Sequence, residues 1–549
     1  MVIATAAVYL VLAWTRRWVT DDAFIVFRVV DHVLAGLGPS FNAGERVEVA
    51  SSPLWLVLLV VARLLVPVGA LEWLAVGLGL VLAVGGLVAG LLASAHFVAE
   101  RPGRLLPLGA LVIIGMPPFW DYATSGLESG LGFAWIAACA WGLGRSATRA
   151  GHRTLLVALL ISLGPLVRPD FAVFAGVFGA ALLAIGWDRG WRWVLSTAAV
   201  LAALPLVTEI LRMGYYAALV PNTVLAKEGG MAYWSQGWLY LRDLFMPGAA
   251  VVGVVIVVLA GLAPAAKRLA SSMFIAFVAP VAAGLLHGLA VVRGGGDFMH
   301  GRLLLPALFA VLLPVLVIRV RQPAETVAVG LVAAWAVVGI VMPRVSPPQA
   351  HVPASGIADE RAFYSAAAGT SHPVTLADYA TYERVPRGLR PRELAARGER
   401  TLFLHDEPYP LAPDAVPDVV IEYGTVGLTG YAAGTNVHVL DTLGIGDAFG
   451  ARIRLEARGR PGHEKPAPQA WAIARYGDPA ADVSIAPDDA AEVRAARQAL
   501  SCPPLRQLRA AISAPLTWDR FLTNIRQAPA LTALRFPADP HEAAEELCG

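Results

Sequence analysis

Residues 1–24 read MVIATAAVYLVLAWTRRWVTDDAF, an apolar segment that ends in charge and is followed at once by the adjacent carboxylates Asp21 and Asp22. Two acids at a bilayer edge are costly to keep. Hydrocarbon strips their hydration, and like charges side by side oppose each other's ionisation. They therefore stand as a functional candidate, against the plainer reading of a solvated loop that stops the first helix from sliding inward. The rest of the 549-residue chain sets the context: 57% of it is hydrophobic and only 15% charged, with a mean hydropathy of +0.60. That composition excludes an ordinary soluble globule and identifies a polytopic membrane protein. A net charge of +2 with dispersed basic residues excludes a nucleic-acid partner.

Twelve apolar runs recur, each bounded by charge, Pro or Gly: 1–14, 54–66, 73–97, 105–116, 131–143, 155–167, 171–187, 193–211, 249–263, 273–292, 303–318 and 327–341. The first lacks a charged leader and an A-x-A site, so it reads as an uncleaved helix. Short loops carrying Arg145, Arg149 and Arg153, Lys267 and Arg268, and Arg319 and Arg321 are the most basic. They belong on the cytoplasmic side. Alternation then puts the polar clusters and the C-terminal half outside, but only if one run fails to cross. The short runs 54–66 and 105–116 are the candidates for re-entrant or half-helices, leaving about eleven transmembrane helices.

The first external loop, 21–52, is long. Phe24, Arg28 and Asp31 with apolar neighbours suggest an amphipathic helix lying at the interface. After Met342, Pro and charge become frequent and apolar runs shorten to strand length, as at Arg400–Leu404 and Pro417–Glu422. The expectation is an α-helical membrane bundle over 1–342 followed by an extracytoplasmic α/β or α+β soluble domain over 343–549. Cys139 reads as a packed hydrophobe. Cys502 and Cys548 either pair, if their half lies outside the cytoplasm, or remain free thiols.

Four further clusters join the aspartates on the outer face. Glu128 opens the helix after Trp120–Leu127, where capping is an equally good account. Arg168-Pro169-Asp170 offers a guanidinium that binds an anion or pairs with its own aspartate. Asn222 and Lys227 follow the aromatic pair Tyr215-Tyr216, and Lys227 suits a phosphate or a lipid headgroup. Arg293-Gly-Gly-Gly-Asp297-Phe-Met-His300-Gly-Arg302 gathers an acid, an imidazole and two guanidiniums behind glycines that permit close backbone approach. Arginine binds phosphate bidentately, and a carboxylate can take the proton of an acceptor hydroxyl. Such a set suits transfer from a lipid-linked anionic substrate.

Thr20-Asp-Asp-Ala-Phe-Ile25, Asn42-Ala-Gly-Glu-Arg-Val47, Ser52-Pro-Leu-Trp55, Ser125-Gly-Leu-Glu128, Pro221-Asn-Thr223 with Lys227, and Gly295–Arg302 resemble the actinobacterial terminal β-(1→2) arabinofuranosyltransferases, polytopic glycosyltransferases of the GT-C class. In the second half Gly430-Tyr431, Val439–Gly444, Asp447 and Gly462-His-Glu-Lys465 fit the same pattern. The chain departs from it in a short N-terminus and in Gly444-Ile445-Gly446, changes expected to leave the site untouched.

The resemblance implies a plasma-membrane enzyme with its site on the periplasmic face. Its donor would be decaprenyl-phosphoryl-arabinofuranose and its acceptor the non-reducing ends of cell-wall arabinan, in arabinogalactan or lipoarabinomannan. Asp21 or Asp22 would be the catalytic carboxylate. Residue chemistry then assigns Arg28, Lys227 and Arg302 to the donor phosphate, and Glu128, Asn222, Asp297 and His300 to sugar or acceptor. A β-linked donor and product would require retention of configuration, by a covalent intermediate on one aspartate or by front-face attack. Metal dependence is open: Asp21, Asp22 and Asp297 could hold Mg²⁺ or Mn²⁺, and no other cofactor is implied. Transfer of another sugar, a transporter and an envelope scaffold are the rival readings. Transporters place their key groups near the midplane and often show repeated halves.

Overall fold

Small residues decide how closely the apolar helices of the first 341 residues approach one another. The Leu71–Phe97 and Ser129–Thr148 helices meet at glycines. A Cβ on Gly130 would fall 2.2 Å from the Gly79 carbonyl oxygen, and one on Gly86 2.6 Å from the Ala134 nitrogen. Backbone contact of this kind joins helices where lipid removes the hydrophobic contrast between them. The structure, a computed structural model, describes residues 1–98, 103–148, 154–257, 271–341, 352–484 and 486–549. Arg149, Arg153, Lys267 and Arg268, the end of the 249–263 run and the boundary at Met342 lie outside the described residues.

Among the described residues four helices are long and apolar enough to cross a membrane: Leu71–Phe97, Trp191–Tyr216, Ser271–Arg293 and Pro323–Val341. Val2–Thr15, Pro53–Leu65, Thr154–Val167, Pro169–Ile185 and Arg302–Val315 are apolar but shorter. The expected count of about eleven is thus met at full length by four. The two doubtful runs behave differently from each other. Pro53–Leu65 starts beside Ser52, which lines the same cavity as Asp22. It ends near Arg63, whose charge acts on Asp31 together with that of Glu72. Both ends therefore approach residues of the first loop. The 105–116 run breaks instead: Arg104–Leu106 is strand β1, paired antiparallel with β2, Ile318–Val320. A helix of only eight residues, Leu108–Gly115, follows.

The loop helix Asp21–Leu34 departs from the amphipathic surface helix expected. Ala23, Phe24, Phe27, Val29 and Val30 are fully buried, and so is Arg28. It is clamped between the bundle and the C-terminal half, where Phe24 and Phe27 meet Tyr431, and Phe24 also meets Tyr379. One continuous core runs through both halves.

The C-terminal half carries a four-stranded sheet in the order β4-β3-β5-β6, formed by β3 Thr401–Leu404, β4 Glu407–Tyr409, β5 Val419–Tyr423 and β6 Val437–Asp441. The β3–β4 pairing is antiparallel, whereas β3–β5 and β5–β6 are parallel. The parallel pair β5–β6 is joined by the Gly427–Ala433 helix, as a parallel connection requires. This is the α/β alternative, and the two strands read from sequence coincide with β3 and β5. Cys502 and Cys548 are disulfide-bonded, and Cys139 is free and buried.

Candidate active site

Asp21 and Asp22 occupy the first turn of the loop helix, where the helix dipole favours an acid. Neighbours on a helix point about 100° apart, and the two carboxylates separate accordingly. Asp21 is buried and turned toward the C-terminal half. It accepts from the Leu428 amide at 2.9 Å and the Gly427 amide at 3.2 Å, and pairs with Arg384 at 3.2 Å. Gly427 is required there, since a Cβ would lie 1.9 Å from the Asp21 carbonyl oxygen. Among the described residues no backbone amide donates to Asp22. It is half-buried, 3.8 Å from Arg302, and faces open space.

That space is a cavity of about 460 Å³ at the end of the bundle, lined among others by Asp22, Glu128, Arg168, Lys227, Asp297 and Arg302. Arg302 is its hub: it bonds Glu128 at 3.1 Å and lies 3.8 Å from both Asp22 and Asp297. Lys227 lies 3.6 Å from Asp297 and 5.2 Å from the centroid of the Phe298 ring. Gly462, at φ +81°, makes room for it, because a Cβ would meet the Lys227 stem at 3.1 Å. Among the described residues nothing hydrogen-bonds to the buried Asp297 Oδ2 or Arg302 Nε. Unsatisfied groups of this kind are expensive unless a ligand completes them. Arg168 bonds the same Glu128 oxygen as Arg302, at 3.4 Å, and Asp170 at 3.0 Å, and Asp170 bonds His287 at 2.6 Å.

A second cavity, about 140 Å³, opens at the seam between the halves and is lined by Asp21, Asp22, Glu360, Tyr364, Arg384 and Arg460 among others. Among the described residues Asp22 is the one ionisable group that lines both spaces. Burial pushes its carboxyl up to about 6, with Asp21 and Asp297 adding to the rise and Lys227 and Arg302 opposing it. Burial pushes Glu360 up to about 8, reinforced by the charge of Asp22, so it is neutral at pH 7. The Thr20 hydroxyl reaches its Oε2 at 3.5 Å.

Several expected residues are not brought to these cavities. Arg28 donates to the carbonyls of Phe41, Gly430, Gly434 and Val437, the first at 2.8 Å and the last at 2.7 Å. Its fork is filled by backbone and clamps the two halves together. Asn222 likewise gives its amide to the carbonyls of Gly444, Ile445 and Asp447, at 2.8, 2.9 and 3.2 Å. It fixes the loop that carries Ile445, and Ile445 lines both cavities. The Gly444-Ile445-Gly446 departure therefore does touch the site. His300 pairs with Asp243 and faces a separate cavity of about 300 Å³ that also meets Arg16, Asp121 and Trp335. Glu128 holds two arginines in addition to opening its helix.

Glu360, Arg384 and Arg460 escaped the sequence reading. They lie in polar stretches with no spacing to mark them, and their approach to Asp22 depends on how the halves dock. Divalent-cation ligation by Asp21, Asp22 and Asp297 does not fit the donor set. Asp21 is taken by two amides and Arg384, while Asp297 faces Lys227 and Arg302. Among the described residues no group of three or more His, Cys, Asp or Glu is arranged to hold a metal.

The comparison with known proteins decides what kind of molecule carries this site. The chain is 34% identical to the terminal beta-(1->2)-arabinofuranosyltransferase of Mycobacterium tuberculosis, over 96% of its own length and 94% of that protein's. It is 33% identical to the protein of the same name from Corynebacterium glutamicum, over 94% and 82%. The chain belongs to the terminal beta-(1->2)-arabinofuranosyltransferase family. Residues 415–546 match the AftB family C-terminal domain. That stretch supplies Gly427 and Leu428, which hold Asp21, Gly462, which makes room for Lys227, and Ile445. No solved structure matches the chain.

Proposed function

We propose that this chain is a membrane arabinofuranosyltransferase that moves an arabinofuranosyl residue from a lipid-linked donor to the non-reducing ends of cell-wall arabinan, forming β-(1→2) linkages. The donor is decaprenyl-phosphoryl-arabinofuranose, and the reaction takes place on the extracytoplasmic face. Family membership supports transfer over the transporter and scaffold readings. The observation that carries the reading is the position of Asp22, between a cavity at the end of the bundle lined by paired cations and carboxylates and a second cleft at the seam.

The larger cavity holds the donor. Its phosphate lies against Arg302 and Lys227, with Arg168 beside Arg302 across Glu128. These cations are tethered to carboxylates at 3.0–3.8 Å, and the longer pairs yield to a phosphate oxygen that binds the guanidinium fork better. Asp297 then accepts from a sugar hydroxyl through its unpaired oxygen. The arabinan end enters the seam cleft, whose Tyr364, Arg384 and neutral Glu360 supply an aromatic face and donors for sugar oxygens. Asp22 lies where the anomeric carbon and the acceptor hydroxyl meet. It serves as the nucleophile of a covalent intermediate, or in front-face attack it stands beside the developing positive charge while the departing phosphate takes the acceptor proton; either course retains the β configuration. Asp21 has the separate task of docking the two halves.

The topology that fits is a GT-C-like bundle of eleven crossings over 1–342, with Pro53–Leu65 the run that does not cross, and a soluble domain over 343–549 on the side of the first loop. The test is transfer of labelled arabinofuranose from the polyprenyl-phosphate donor to a short arabinan by the purified chain in lipid nanodiscs. Product carrying a terminal β-(1→2) residue is expected. Absence of product with this donor, and turnover with a different polyprenyl-phosphate sugar, would overturn the donor assignment.

A further inference from the structure

The Trp191–Tyr216 helix exposes Leu195, Leu206, Val207, Ile210 and Leu211, the apolar outline of a lipid-facing span. It opens beside Trp187 and Trp191, each 68% exposed, the aromatic marking of a membrane interface. At about 1.5 Å per residue a hydrocarbon layer of about 30 Å is crossed in about twenty residues. The opposite boundary then falls near Leu211.

At that height the C-terminal tail arrives. The Trp518–Ala533 helix packs on the last turn of the span. Phe521 fills the space beside Gly214, where a Cβ would lie 2.1 Å from its ring, and Asn524 donates to the Gly214 carbonyl at 3.0 Å. Further along, the Leu219 amide donates to the Thr532 hydroxyl at 2.8 Å. Residues 214 to 219 lead away from the bilayer, so these contacts point the Trp518 end of the tail helix toward it. Trp518 stacks on Phe521 with ring centroids 5.3 Å apart, yet it is 74% exposed, with Leu516 and Leu522 also exposed. Between residues 503 and 533 the charges are Arg506, Arg509, Arg520 and Arg526 against the single acid Asp519.

We propose that Leu516, Trp518 and Leu522 form a membrane foot, inserted at the boundary between acyl chains and headgroups beside the end of the Trp191–Tyr216 span, with the neighbouring arginines meeting anionic lipid. An indole with one apolar face and one polar edge suits that layer. Basic residues beside it add electrostatic attraction to anionic headgroups. The apolar edge continues the lipid-facing band of the span, which makes the bilayer its occupant. The foot fixes the height of the C-terminal half above the membrane, and with it the seam cleft relative to the donor cavity.

Trp518→Cys, labelled with an environment-sensitive thiol fluorophore in nanodiscs containing anionic lipid, reads this directly. Cys139 is buried and Cys502 is bonded to Cys548, so the label marks the new thiol. The expected result is quenching several-fold stronger by a nitroxide on shallow acyl carbons than by aqueous iodide. Leu522→Cys, which keeps Trp518 in place, gives the same order. Iodide quenching that dominates at either position overturns the proposal.

Discussion

The cation cluster of the bundle cavity and the polar seam that docks the C-terminal half use the same residue types to opposite ends. At the seam, Arg28, Asn222 and Asp21 are hydrogen-bonded to backbone of the other half, and Arg28 also to the Phe41 carbonyl of its own half. In the cavity, Arg302 and Lys227 are held by ion pairs of up to 3.8 Å, and buried polar atoms are left over. A saturated polar group is part of the framework. One left incomplete beside open space is available to a ligand. Charge, burial and sequence position do not separate these cases, but the partners do.

The sharpest way to break this contrast lies at the hub. Arg302→Lys keeps the charge but loses the bidentate fork, and kcat/KM for the donor is expected to fall about 10- to 100-fold. Steady-state kinetics with varied lipid donor reads the change, and an unaltered value would remove Arg302 from phosphate binding. Lys227→Gln has a smaller effect, a rise of about tenfold in donor KM with kcat nearly kept, because it removes one charge-assisted contact. A change confined to acceptor KM would place Lys227 in the other subsite.

The pH profile sharpens the seam side of the comparison. Asp22 sits near 6 and in its proposed role works ionised, so kcat/KM is expected to rise as pH increases through about 6. Glu360 is neutral until about 8. Above that its charge opposes the ionised Asp22 and its hydrogen-bond donor is lost, so activity falls. Glu360→Gln is expected to change little at pH 7 but to abolish the alkaline limb. Persistence of that limb in the variant would assign it to another group. The smallest kinetic effect is expected at Arg28. Arg28→Met leaves buried carbonyls unpaired and costs about 3 kcal/mol or more of stability. The fraction that stays folded keeps wild-type KM for both substrates. A raised donor KM with unchanged Tm would return Arg28 to the phosphate.

The contrast also explains what the sequence could show. The acid pair, Lys227, Asp297 and Arg302 were legible because charged residues at the ends of apolar runs are rare and costly. The strands at Thr401–Leu404 and Val419–Tyr423 were legible as short apolar runs. The different fates of Asp21 and Asp22 were not, since the amides that claim Asp21 come from Gly427 and Leu428, more than 400 residues away. Arg28 and Asn222 have the right chemistry for ligands, but distant carbonyls take it up. Glu360 has no local signal at all. Of the short runs, 105–116 gave no sign that its first residues would pair with Ile318–Val320. The loop helix read as a surface element because its cover, the Gly427–Ala433 helix, lies in the other half.

Asp21→Asn and Asp22→Asn, measured side by side for transfer of arabinofuranose and for thermal stability in the same nanodiscs, test the division of labour most directly. Asp22→Asn is expected to lower kcat by about a thousandfold while Tm is kept. Asp21→Asn is expected to lower Tm, through the lost contacts to Gly427, Leu428 and Arg384, far more than it lowers the turnover of folded protein. Full activity in Asp22→Asn, or a loss of turnover in Asp21→Asn with Tm unchanged, would overturn this division between the two aspartates.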